Sequence, residues 1–106
     1  MALRTRDDDL IERLKALLAE QRPHLAARGV HEVSLVGSRA RGTAVAASDI
    51  DLLVDLAPDA TFGLFDLVAF EEELETALGT RVDVVFKSRL RPYIAERMTR
   101  DKVRLL

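Results

Sequence analysis

The chain has 106 residues, nearly half of them apolar and about a third charged, with a formal net charge of −2 and no cysteine. That length fits one folded domain spanning residues 1–106 and leaves little mass for a lid or a second lobe. The slight negative balance excludes a polycationic footprint for gripping DNA or RNA unaided, and the missing cysteines exclude disulfides and thiolate metal sites.

Met1 to Asp9 carry Arg4, Arg6 and a run of three aspartates, with no apolar segment of a secretory signal behind them. No apolar run reaches the length of a membrane span, so a cytoplasmic protein without membrane contact is expected. Asp9 followed by Glu12 forms a capping-box pattern, and Leu10, Ile11, Leu14, Leu17 and Leu18 recur at helical spacing. This predicts a helix from Asp8 to Gln21, ended by Pro23, and a separate turn over Leu25 to Arg28. Val33 and Leu35 alternate with Glu32 and Ser34, predicting a half-buried strand over Val30 to Val36 that runs into Gly37-Ser38. Arg39 to Ala47, small and polar, suit a short helix and a loop.

Ile50 to Leu56 reads as a second strand, and Pro58 with Asp59 as a turn. Leu64, Leu67, Val68, Leu74, Ala77 and Leu78 predict an amphipathic helix stopped by Gly79. Arg81 to Phe86 predicts a third strand with Val82, Val84 and Phe86 on one face. Arg91 to Arg100 is helical in pattern, and Val103 to Leu106 fits a short edge strand or a tail. The alternation of strands and helices, without repeats or linkers, specifies a single α/β unit.

Asp49 and Asp51 are two apart at the start of a strand, so their carboxylates share a face, while Ile50, Leu52 and Val54 take the core face. Parallel carboxylates a few ångströms apart repel one another, and the repulsion is relieved by a raised pKa or a bound divalent cation. Oxygen ligands without His or Cys suit a hard ion, Mg²⁺ or Mn²⁺. Asp83 interrupts an apolar strand and faces away from Val82 and Val84, where a charge does nothing for stability. If that strand pairs beside Ile50 to Leu56, three carboxylates share one surface, enough for a two-metal site. Gly37-Ser38 ends the preceding strand and is separated from Asp49 by ten residues. Glycine permits a sharp turn and close backbone approach, and a helix starting there aims backbone N–H groups at an anion.

Gly37-Ser38-Arg39-Ala40-Arg41-Gly42, Ser48-Asp49-Ile50-Asp51-Leu52-Leu53-Val54 and Val82-Asp83-Val84-Val85 together resemble the signature of the DNA polymerase β nucleotidyltransferase superfamily. The small size resembles its minimal branch, the MNT proteins encoded beside HEPN-domain ribonuclease toxins. The resemblance runs from Val33 to the C-terminus. It implies an α/β (α+β) fold, a small mixed sheet with flanking helices in the manner of a polymerase-β-like palm. It also implies that Gly37 and Ser38 contact the triphosphate, with Arg39, Arg41 and Ser48 in the nucleotide-binding set. Asp49 and Asp51 would bind two Mg²⁺ ions, with Mn²⁺ as a substitute, and Asp83 would complete the site of the ion that activates the attacking hydroxyl. The implied substrate is ATP and the implied acceptor a tyrosine of a HEPN toxin, adenylylated and silenced within a hetero-oligomer. Two other readings remain open: an antitoxin that acts by binding alone, and nucleotidyl transfer to a small molecule or RNA.

Other residues are read more plainly. Arg39 and Arg41 suit phosphate by their planar forks, but on a short helix at most one reaches the triphosphate. Lys87, Arg89, Arg91, Arg97, Arg100, Lys102 and Arg104 read as the wet face of a terminal helix, and Tyr93 and Met98 as packing residues. Of Phe62, Phe65 and Phe70, two are expected in the core and one in an exposed patch suited to a partner. His24 and His31 are expected on the surface, and Asp55 as a strand-end charge.

Overall fold

A computed structural model describes residues 8–45 and 48–106. The N-terminal arginines and the end of the Arg39 to Ala47 segment lie outside the described residues. Four strands, β1 (Val30–Val36), β2 (Ile50–Leu56), β3 (Val82–Phe86) and β4 (Val103–Arg104), form one mixed sheet in the order β3-β2-β1-β4. β1 is antiparallel to β2 and to β4, and β2 is parallel to β3. A parallel pair needs a crossover connection, and the helix between β2 and β3, α3 (Leu64–Leu78), supplies it.

The period-2 alternation of the strands sorts the sheet into two faces. Val33, Leu35, Ile50, Leu52, Val54 and Val82 point into a core closed by α1 (Asp8–Ala27) and α3. α1 contributes Leu14, Leu18 and Leu25, and α3 contributes Phe70 and Leu74, all buried. Each of these side chains contributes about 1.5–3 kcal/mol by leaving water. Phe62 closes the end of the core, edge-on to Phe70 and Phe86 with ring centroids 6.1 Å apart in both pairs. Phe65 stands 89% exposed beside Leu64 and Val68 on α3, so the expected division of the three phenylalanines holds.

Two expectations change. The first helix does not end before Pro23 but continues through it to Ala27. A proline here forgoes one intrahelical bond. Leu18 before it and Leu25 after it are both buried, and their packing holds the last turn in line. Tyr93, expected to pack, is 58% exposed on α4 (Pro92–Arg100). The predicted stop at Gly79 is present: its φ is +69° and its N–H donates to the Glu75 carbonyl.

β3 lies at one edge of the sheet, where its outward N–H groups would be open to pairing with another chain. α3 closes that edge with side chains. Glu75 Oε2 accepts from Val82 N–H at 2.9 Å, and Glu71 Oε2 accepts from Val84 N–H at 3.0 Å. Among the described residues no helix is long and apolar enough to cross a membrane.

Candidate active site

The opposite face of the sheet carries the acidic residues. β1 ends at Val36, and Gly37 (φ +76°) turns the chain into the five-residue helix α2 (Gly37–Arg41). The pairing puts Val36 opposite Asp51 on one side and Asp83 opposite Asp51 on the other. Asp51 therefore sits in the middle of a row across three strands, with Gly37 at its shoulder. A Cβ on Gly37 would lie 2.6 Å from Asp51 Oδ2, so only glycine lets the backbone come this close. The Asp83 register, inferred in the sequence from alternation alone, is present. Asp49, exposed, precedes β2, whose first residue is held by Ile50 N–H donating to the Arg81 carbonyl at 2.9 Å.

The electrostatics match this crowding. Burial raises the Asp51 carboxyl above its usual range, Asp83 and then Asp49 push it further up, and Arg41 opposes them. Asp83 turns toward Arg81, whose Nε donates to its Oδ1 at 3.2 Å. Among the described residues, no three acidic, imidazole or thiolate groups are arranged as they stand to hold a metal ion. The two observations are consistent. Asp83 and Asp49 are the two like charges felt at Asp51, and Arg81 offsets part of the repulsion at Asp83. The donor set is all oxygen and the register brings Asp51 and Asp83 side by side, so these residues fit a hard divalent cation.

The neighbouring side chains divide into two groups. Arg39 is buried, and its guanidinium donates to the Ser48 carbonyl from Nε at 3.1 Å and Nη2 at 2.6 Å, tying α2 to the segment that enters β2. Ser48 is folded into the same turn, its Oγ accepting from Val45 N–H at 3.0 Å. Arg41 is exposed on the rim of a cavity that reaches Asp51. Ser38 is half-buried, and its carbonyl accepts from the N–H groups of Gly42 and Thr43. Asp55, as expected of a strand-end charge, pairs with Lys87 at 3.8 Å.

Sequence reasoning missed one part of the site. α4 lies over the acidic face, and Ile94, Arg97, Met98 and Asp101, one face at spacings of three and four, line the cavity with Gly37 and Asp51. The signal was there in the same spacing, but the arginines around it read as a solvated surface.

This arrangement is similar to that of known proteins. The model of the nucleotidyltransferase domain family matches residues 10–105. Protein adenylyltransferase MntA of Thermococcus cleftensis is 38% identical over 94 residues, covering 88% of this chain and 93% of its own. A solved structure assigned as a minimal nucleotidyltransferase is 34% identical with a TM-score of 0.69, covering 88% of this chain and 93% of that one. A crystal structure of a toxin–antitoxin with AMP-PNP shares the fold at 21% identity and a TM-score of 0.68, over 87% of this chain and 72% of that one. With the match spanning both acidic strands and the glycine turn, the chain belongs to the nucleotidyltransferase domain family.

Proposed function

We propose that the chain is a Mg²⁺-dependent antitoxin that transfers AMP from ATP to a tyrosine hydroxyl of a HEPN-domain toxin, and so silences it. The carrying observation is the row Val36–Asp51–Asp83 with Gly37 stripped of a Cβ against Asp51. The similarity to a protein adenylyltransferase supports protein as the acceptor, and the fold shared with a toxin–antitoxin structure containing AMP-PNP supports the partner and the nucleotide.

In this reading Asp49 and Asp51 would hold the divalent cations, and Asp83 would complete the site of the ion beside the acceptor hydroxyl. Cations held there would supply positive charge against the triphosphate and favour ionisation of the acceptor hydroxyl. Gly37 and Ser38 face the phosphates, and Arg41 offers its fork from the rim. The acceptor oxygen attacks the α-phosphorus in line, its proton passes to solvent, the bond from the α-phosphorus to the bridging oxygen breaks, and diphosphate leaves with that bonding pair. Incubation with a cognate HEPN toxin, Mg²⁺ and ATP labelled at either the α- or the γ-phosphorus tests this. Label should pass to the toxin from the α-position alone and be lost with Asp49→Ala plus Asp51→Ala. Transfer from the γ-position, or transfer undiminished in that variant, would sink the proposal.

One observation favours binding without catalysis as a second reading: Leu64, Phe65 and Val68 form an exposed apolar strip on α3. If the Asp49, Asp51 and Asp83 triple alanine variant still protected cells while Phe65→Glu did not, neutralisation would rest on association.

A further inference from the structure

The chain leaves the sheet at Lys87, directly after β3, and rejoins it after Lys102, directly before β4. The helix between them is held by little packing: none of the α4 residues is buried, and Ile94 and Met98 are only half-buried. Yet this segment supplies Ile94, Arg97, Met98 and Asp101 to the wall that faces Asp51. The wall of a reaction site has to keep its place, since a misplacement near 1 Å costs about a hundredfold in rate. Something other than apolar burial must therefore fix it.

The two flanking lysines meet that need. Lys87 Nζ pairs with Asp55 Oδ2 at 3.8 Å, and Lys102 Nζ donates to Glu32 Oε2. The two carboxylates are direct cross-strand partners in the β1–β2 register. Both ends of the excursion are thus fastened at one place on the sheet. Like charges opposite each other on neighbouring strands destabilise a sheet, so the stability of β1 and β2 alone does not explain this pair. Glu32 is itself fixed, its Oε2 also accepting from the Oγ of buried Ser34 at 2.8 Å. The anchor belongs to the sheet, and α4 is what it holds.

We infer that Lys87–Asp55 and Lys102–Glu32 form a two-point fastening that sets the position of α4 over the acidic row, which makes these four side chains positioning residues for the reaction. The inference rests on the nucleotidyl-transfer reading above and adds what keeps one wall of its site in place. None of the four lines the cavity beside Asp51; they act through α4.

The test separates position from stability. The chain has no cysteine, so spin labels can be attached at Glu96→Cys on α4 and Lys15→Cys on α1, both exposed. The distance between them is then read by electron paramagnetic resonance. One variant carries Lys87→Met with Lys102→Met. A charge-free variant adds Glu32→Gln and Asp55→Asn, so no unpaired carboxylates remain to unfold it and the test survives if the first variant does not fold. A third carries Lys87→Arg with Lys102→Arg, which keeps both charges. The distance distribution should be single and narrow in the labelled wild type and in the arginine variant, and broader in the charge-free variant while its unfolding stays cooperative. Label transfer to the toxin should fall at least roughly tenfold in the charge-free variant and return in the arginine variant. A charge-free variant as narrow as the wild type overturns the inference, as does equal broadening in the arginine variant. Broadening with undiminished transfer overturns it too, because α4 would then wander without consequence for the reaction. Wild-type protein that transfers no label refutes the nucleotidyl-transfer reading instead, a result on which the distance measurement does not depend.

Discussion

Gly37→Ala tests the link between backbone and chemistry most directly. Two effects add. The backbone at φ +76° penalises any side chain, by about 1–2 kcal/mol. The new Cβ would also lie 2.6 Å from Asp51 Oδ2, and the carboxylate must retreat by about 0.8 Å before ordinary contact begins at 3.4 Å. Pushing Asp51 off its rotamer adds about 0.5–1.5 kcal/mol. The whole is roughly 1.5–3.5 kcal/mol, to be read by urea unfolding. Gly79→Ala is the matched control: its φ is +69°, but nothing lies within 4 Å of the added Cβ, so only the backbone penalty applies. In an Asp51→Ala background the excess cost of Gly37→Ala should vanish, since the clashing oxygen is gone. Catalysis should suffer more than stability, because a displacement near 1 Å at a reacting site costs about a hundredfold in rate. Equal stability losses for Gly37→Ala and Gly79→Ala, with adenylyl transfer retained in the former, would refute the claim that this glycine exists to admit Asp51.

The remaining predictions concern charges and edges. The Asp51 carboxyl is raised by burial and by Asp83 and Asp49. The stability this gives is present below the unfolded value near 3.8 and lost as pH rises through the folded value. At neutral pH Asp51→Asn should therefore raise the Tm of metal-free protein and abolish the Tm increase that Mg²⁺ gives the wild type; a fall in Tm would contradict this. Glu32 is the opposite case. Burial alone would raise its carboxyl, but hydrogen bonds from Lys102 and Ser34 and the charges of Lys102 and Arg104 outweigh it and hold it below 4.5. Its contribution is present above 4.5 and lost as pH falls through the folded value, so Glu32→Gln should flatten the acid limb of a stability–pH curve. Arg39→Ala should cost about 1–3 kcal/mol by leaving the Ser48 carbonyl unpaired, with Arg39→Lys recovering only part because a single ammonium cannot reproduce the fork. Glu71→Ala with Glu75→Ala should lower stability by roughly 1–3 kcal/mol and increase aggregation measured by light scattering at matched concentration.

Much of this was legible in the residues, and the failures have identifiable causes. Val30–Val36 and Ile50–Leu56 were readable to the residue, because apolar runs bounded by turn residues are a local property of the chain. The neighbourhood of Asp51 and Asp83 was readable as a condition only: alternation says which way each side chain points, but strand order is decided by the crossover through α3. The helix through Pro23 was hidden because a local rule was overridden by burial of Leu25. Burial of Arg39 was hidden for a different reason. A guanidinium reads as surface until a carbonyl such as that of Ser48 is folded back onto it. Glu71 and Glu75 look like any solvated i, i+4 pair in the chain, and only the position of β3 beneath them reveals two backbone amides at their ends.

Those two glutamates also bear on how a protein substrate can arrive. They occupy the outer hydrogen-bonding positions of β3, standing where a fifth strand would otherwise lie. A partner therefore cannot reach Asp83 by threading an extended segment along that margin, the usual economical route for peptide recognition. The margin is thus closed to strand addition at these two amides by the same helix that connects the two parallel strands.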